Sequence, residues 1–167
     1  QSKNIRSLDI KNDDRIEFVK PLQLITDKPV LYVCNVNEAS VKSGNDYVEK
    51  VKSIIANESS GLLILGVNIE ADISELDSFD ERQMFLEDLG LDEAGSAKLI
   101  REAYTLLNKQ TYFTAGEKEV RAWTIPIGST AQQAAGVIHS DFEKGFIRAE
   151  VISYRDYEQY KSEAKVR

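Results

Sequence analysis

The sequence predicts a mixed α/β protein in two parts, a parallel strand–helix–strand arrangement followed by a small, incomplete β-grasp (ubiquitin-like) sheet. Three observations carry this expectation. Two short runs, Pro29–Cys34 (PVLYVC) and Gly61–Val67 (GLLILGV), have the continuous apolar character of strands buried on both faces of a parallel sheet. Between them, Tyr47, Val48, Val51, Ile54 and Ile55 share one face of a helix over Asp46–Asn57. From Gln110 onward, helical periodicity gives way to strand alternation around one short helix.

The elements follow in order. Residues 1–20 are polar, and Asp13 or Asp14 is placed to cap a short helix with Ile16, Val19 and Leu22 on its apolar side. Pro21 marks its end or a kink. The two apolar runs and their helix form one right-handed βαβ unit. A helix over Asp80–Leu89 opens with Asp80 and Gln83 at capping-box spacing and stops at Gly90. The next, Ser96–Asn108, gathers Ala97, Leu99, Ile100, Ala103, Leu106 and Leu107 on one side. The domain boundary falls at Asn108–Gln110. Beyond it, Thr111–Thr114 and Val120–Ile127 flank a turn at Gly116, and Thr130 with Gln133 caps a helix over Ala131–Ile138. Lys144–Gly145 reads as a turn and Phe146–Tyr154 as a strand. The polar tail Asp156–Arg167 reads as helix, which leaves the small sheet short of the strands that close a β-grasp fold.

An apolar share of 42% and a charged share of 29% are those of a globular protein. The net charge of −7 is uneven, with the acidic excess densest in Glu70–Glu93 and the stretch from residue 109 near neutral. That acidic run is a solvated face or a docking surface for a basic partner. Binding to RNA or a ribosome would need a local basic face, and no DNA partner is expected. No apolar run approaches the roughly 20 residues that cross a bilayer, so no membrane partner is expected. No signal-peptide pattern opens the sequence. A lone cysteine, Cys34, cannot pair internally and reads as a small strand residue, which fits a reducing, cytoplasmic setting.

Gln110–Tyr154 contains TYFTAGEKEVRAWT and AAGVIHSDFEKGFIRAEVI. These long stretches closely resemble the TGS domain at the C-terminal end of the YchF/Obg-like ATPases, and the resemblance extends from Asp13 to about Lys165. It implies that residues 1–27 are the end of a helical insertion, 28–108 the last part of a P-loop NTPase domain with a partial parallel sheet, and 109–167 a truncated TGS domain. The parent implied is a cytoplasmic, ribosome-associated regulator that hydrolyses ATP, also GTP, with Mg²⁺. A catalytically silent RNA- or protein-binding module that uses no nucleotide is the alternative reading.

Ligands of open α/β sheets bind beyond the carboxyl ends of strands, where Asn35-Val36-Asn37-Glu38 follows the first apolar run. Ras-type GTPases carry Asn-Lys-x-Asp there, whereas the resembled family carries Asn-x-x-Glu. The resemblance implies that Asn35 braces the loop, Val36 contacts the base and Glu38 lies near its edge, with ATP preferred over GTP. Residues alone leave open a loop Asn in an Asx-turn beside an exposed Glu. Beyond the second run, the resemblance implies a loop in which Val67 and Asn68 offer backbone amides to the base. Gly66-Val67 stands where the family has Ser-Ala, while Ile69-Glu70 matches its pattern.

The sequence holds no Gly-x-x-x-x-Gly-Lys-Ser/Thr, so no catalytic residue is assigned and no hydrolysis by this segment alone is expected. His139, the only histidine, excludes a His–His metal pair, and no metal ligand is assigned. It either caps the helix ending at Ile138 or contacts RNA or a ribosomal partner. Trp123, in alternation with Arg121 and Ile125, is a core residue or, with Lys144 and Arg148, part of an RNA-facing surface.

Overall fold

The computed structural model describes residues 3–58, 60–116 and 118–166, except for the side chains of residues 163 and 164. The chain is mixed α/β, as its patterning predicts, and divides into two compact units, Gln1–Lys109 and Gln110–Arg167.

In the first unit, strands β1 (Leu31–Asn35) and β2 (Gly61–Leu65) pair in parallel, with Leu31 opposite Gly61 and Asn35 opposite Leu65. Both strands therefore end at one level. The sheet has only these two strands among the described residues, so Val33 is exposed rather than covered on both faces.

A short helical turn, α1 (Asn12–Asp14), lies upstream of β1, and α2 (Asp46–Ile55) forms the crossover between the strands. The α1 turn continues as a wider π-type turn over Arg15–Val19. Neither Asp13 nor Asp14 caps it: both lie inside, and Lys11 precedes it with no side-chain bond. Arg15 instead ties the segment together, donating to the Leu8 carbonyl (3.1 Å) and pairing with Asp27. In α2, Asn45 is the cap, accepting from the Tyr47 and Val48 amides. Val48 (2% exposed) and Ile55 are buried, while Tyr47 and Ile54 of the expected apolar face are exposed. The helix presents a narrower stripe to the sheet than its periodicity predicts.

Three helices follow β2: α3 (Val67–Glu75), α4 (Phe79–Asp88) and α5 (Gly95–Leu106). Ile69 and Ile73, one turn apart on α3, bury against Leu86 of α4, with Phe85, Leu89 and Leu91 around them. This burial makes a helix of the stretch expected to be a loop at Val67 and Asn68. The cap of α4 is Ser78 with Glu81, a complete capping box, and not Asp80 with Gln83. Both pairs fit the spacing, but Ser78 has the extended backbone (φ −101°, ψ 155°) that a cap requires. At the other end, Leu91 N–H donates to the Leu86 carbonyl and Gly90 N–H to that of Glu87. With Gly90 at φ +65°, this is a Schellman stop.

In the second unit, β3 (Lys109–Ala115) and β4 (Val120–Pro126) form a hairpin closed by a Gly116 N–H to Glu119 carbonyl bond. Helix α6 (Ala131–Ile138) opens with the expected Thr130–Gln133 capping box. The Tyr112 hydroxyl holds it to the hairpin, donating to the Ala134 carbonyl at 2.8 Å. Partial burial pushes the Tyr112 phenol upward from its usual pKa.

Helix α7 (Ser140–Lys144) occupies part of the expected turn region, and α8 (Tyr154–Tyr160) and α9 (Glu163–Val166) make the tail helical. The strand expected over Phe146–Tyr154 does not form. Residues 146–153 have no ladder among the described residues, and Ile147 (92%) and Val151 (82%) face solvent. An alternating sequence becomes a strand only beside a partner edge, and this stretch has none.

Candidate functional site

Because β1 and β2 end in register, the two chain segments leaving them stay in contact. Val36 N–H donates to the Leu65 carbonyl (2.8 Å), extending the ladder by one bond. The Asn35 side-chain oxygen accepts from the Val67 N–H at 3.1 Å. Gly66 alone separates β2 from α3, and its position offers no side chain to cap that helix. Asn35 thus supplies from β1 the cap that α3 lacks. The N–H groups of a helix's first turn have no intrahelical acceptors, and in this turn Asn68 is exposed whereas Ile69 is buried.

Asn35, Val36 and Val67 are accordingly brought together. Asn68 is exposed at the second position of α3, in a helix and not in a loop. Glu38 lies in a short 3₁₀ turn, Glu38–Ser40, whose opening residue is reached through Asn37. It lines an open cleft of about 490 Å³ with Asn37, Ala39, Asp88 and Leu89. Glu38 thus shares a cleft with Asp88 at the C-terminal end of α4, a cleft that Asn35, Val36, Val67 and Asn68 do not line. Among the described residues, no cluster of His, Cys, Asp and Glu is arranged to hold a metal ion.

Behind the site, Glu70 of α3 accepts from two backbone amides of α5, Gly95 N–H at 2.6 Å and Ser96 N–H at 2.8 Å. The residue before α5, Ala94, makes no side-chain cap, so Glu70 caps α5 from another helix. Its sequence signal is indirect: a helix starting Ala-Gly-Ser without a capping Asp or Thr must find its acceptor elsewhere. Neither Glu70 nor Asp88 is assigned a role by sequence spacing.

The second unit holds the remaining candidates in two groups. On the hairpin, the Arg121 guanidinium stacks 4.3 Å from the Trp123 ring centroid. Trp123 is half-buried, and its Nε1–H donates to the Thr114 hydroxyl at 2.9 Å, while Ile125 beyond it is buried. The indole is neither pure core nor free surface: one edge is pinned and one face carries Arg121. At the α6–α7 corner, His139 is exposed and its Nδ1 accepts from the Asp141 N–H at 3.1 Å. The ring caps the start of α7 and not the end of α6. Lys144 ends α7, and Arg148 is exposed in the irregular stretch after it. No hydrogen bond or ring contact among the described residues joins the hairpin group to the corner group.

Residues 109–167 match a family model named YchF-GTPase_C, described as a protein of unknown function, DUF933. The chain is 52% identical over 160 residues to the ribosome-binding ATPase YchF of Pasteurella multocida, a match covering 96% of this chain and 43% of that protein. It is 48% identical over 156 residues to the ribosome-binding ATPase YchF of Bacillus subtilis, covering 92% and 42%. Among solved structures it is similar to the YchF GTPase of Schizosaccharomyces pombe, with a TM-score of 0.81 and 37% identity over 97% of this chain and 43% of that one. The chain thus spans less than half the length of these relatives. In sequence and in fold, it corresponds to the C-terminal portion of YchF-family proteins.

Proposed function

We propose that this chain is the base-holding and ribosome-docking part of a nucleotide hydrolase, with residues 1–27 the end of a helical insertion, 28–108 the last part of its NTPase domain and 109–167 its TGS domain. The observation that carries the reading is the Asn35–Val67 bond, which locks the carboxyl ends of two parallel strands to a helix start. A base lying against Val36 would meet the backbone of Val67 and Asn68, with the Asn68 amide as donor and the Glu38 carboxylate as acceptor. Adenine, with an amino group to donate and ring nitrogens to accept, suits that set, so ATP is the preferred nucleotide and GTP the second. Glu38, one methylene longer than the Asp of the Asn-Lys-x-Asp loop, does not fix both N–H donors of guanine at once.

The phosphates and Mg²⁺ would be held by residues that this sequence does not contain, since it lacks the glycine-rich lysine motif that cradles them. When bound, they supply the cleavable bond and the charge neutralisation, whereas this chain's residues orient the base. Ribosome binding, which the names of the relatives state of those proteins, is supported here by the exposed Arg121 stacked on half-buried Trp123 and by His139, Lys144 and Arg148. The setting is cytoplasmic. No described helix is long and apolar enough to cross a membrane.

Amide spectra of the labelled chain titrated with ATP and GTP, with and without ribosomes, test the reading. ATP should shift the Asn35–Glu38 and Val67–Asn68 signals more than GTP does, with no saturable hydrolysis. Ribosomes should broaden signals from Arg121, Trp123 and His139, and His139→Ala should weaken that binding while leaving the fold intact. Shifts scattered elsewhere, or a saturable ATPase rate from this chain, would overturn it.

A further inference from the structure

We propose that Glu70 is a positioning residue for the base site: by gripping the first turn of α5 it fixes the first turn of α3, and through it the Val67 and Asn68 amides. The inference rests on the base reading above and adds a residue that touches no base. Val67 and Glu70 are three residues apart, on one side of α3 and within a single turn. Asn35 holds that turn at its leading amide, while Glu70 holds it from behind through two charge-assisted bonds.

Leu65, the last residue of β2, packs into the same junction. A Cβ on Gly95 would overlap its Cδ1 and would come within 2.8 Å of Glu70 Oε1. The end of β2, the start of α3 and the start of α5 therefore converge on the Glu70 carboxylate. With Gly66 as the only residue between β2 and α3, no loop absorbs a shift of the helix. Any displacement of α3 along its axis moves the Val67 and Asn68 amides by the same distance.

Glu70→Gln is the test, because it keeps the shape and converts one acceptor into a donor aimed at an N–H. Adenosine, which carries the base without phosphates, is the probe, and the labelled full chain is the sample. Glu70→Gln should raise the adenosine Kd at least about threefold. It should also speed hydrogen exchange at Val67 N–H while the β1 and β2 amides keep their protection. Unchanged affinity with unchanged Val67 exchange would overturn the proposal. So would a loss that merely follows unfolding across β1 and β2, since that is a structural role only. If the unmodified chain shows no adenosine-dependent shift at Asn35 or Val67, the base reading fails, and Val67 exchange in ligand-free Glu70→Gln decides the positioning role by itself. Glu70→Asp, which retracts the carboxylate by one methylene, provides the same comparison should the Gln variant fail to fold.

Discussion

At position 95 no side chain fits. Gly95 gives its N–H to Glu70, and an added methyl group would overlap Leu65 and crowd the same carboxylate that accepts that N–H. Relief requires either moving the last residue of β2 or breaking the clamp. Gly95→Ala should therefore destabilise the first unit by roughly 1–3 kcal/mol, the usual penalty for overpacking. Urea denaturation followed by circular dichroism measures it, and an unchanged midpoint would mean that Leu65 relaxes without penalty. Asn35→Ala should lose about 1 kcal/mol for its single hydrogen bond to Val67. The two positions differ in how far the sequence reveals them. Asn35, ending β1, and Glu38, opening the next turn, stand at a recognisable spacing. Glu70 meets its partners 25 and 26 residues later, and no local pattern encodes a bond between two helices.

Elements are governed by their ends. In α4, the Ser78 side chain and backbone amide both donate to Glu81, and these bonds hold the Glu81 carboxyl below its usual pKa. Since the folded pKa lies below the unfolded one, the contribution is complete above the unfolded value and is lost as pH falls through the lowered value. Ser78→Ala should cost about 1 kcal/mol near neutrality. It should also partly flatten the acid limb of the melting curve, because the hydroxyl bond, the larger cause of the shift, is lost while the backbone amide still donates; an acid limb identical to that of the parent would contradict this account. The capping boxes show why element boundaries are legible only in part. Thr130–Gln133 stands alone in its stretch and is read correctly, whereas Ser78–Glu81 competes with Asp80–Gln83 two residues on. Burial of Leu86, Ile69 and Ile73 selects between them, and the same burial turns Val67–Glu75 into helix. The failed strand at 146–153 follows the same logic: alternation describes two faces, but only a neighbouring edge makes a ladder.

Over the whole molecule, buried apolar mass is distributed unequally. Among the described residues, Val48, Ile55, Leu63, Ile69, Ile73 and Leu86 are deeply buried in the first unit, whereas Ile125 (5% exposed) is alone in the second. Full burial of one such side chain contributes about 1.5–3 kcal/mol, while ordering each residue's backbone costs about 1–2 kcal/mol. The second unit therefore relies on hydrogen bonds such as Tyr112 to Ala134 and on partly buried side chains such as the Phe113–Tyr154 ring pair, with Ile147 and Val151 left in solvent. Its opening free energy must lie well below that of the first unit. Native-state hydrogen exchange should show this as faster exchange in β3, β4 and α6 than in β1 and β2. Ile125→Ala sharpens the contrast, because removing a buried isoleucine costs about 2–5 kcal/mol, more than such a unit has to lose. Protection should vanish across residues 110–160 in that variant while the β1–β2 amides remain slow. Simultaneous loss of protection in both units would show instead that the chain unfolds as one cooperative body, and that the division at Lys109 is one of contact density without energetic independence.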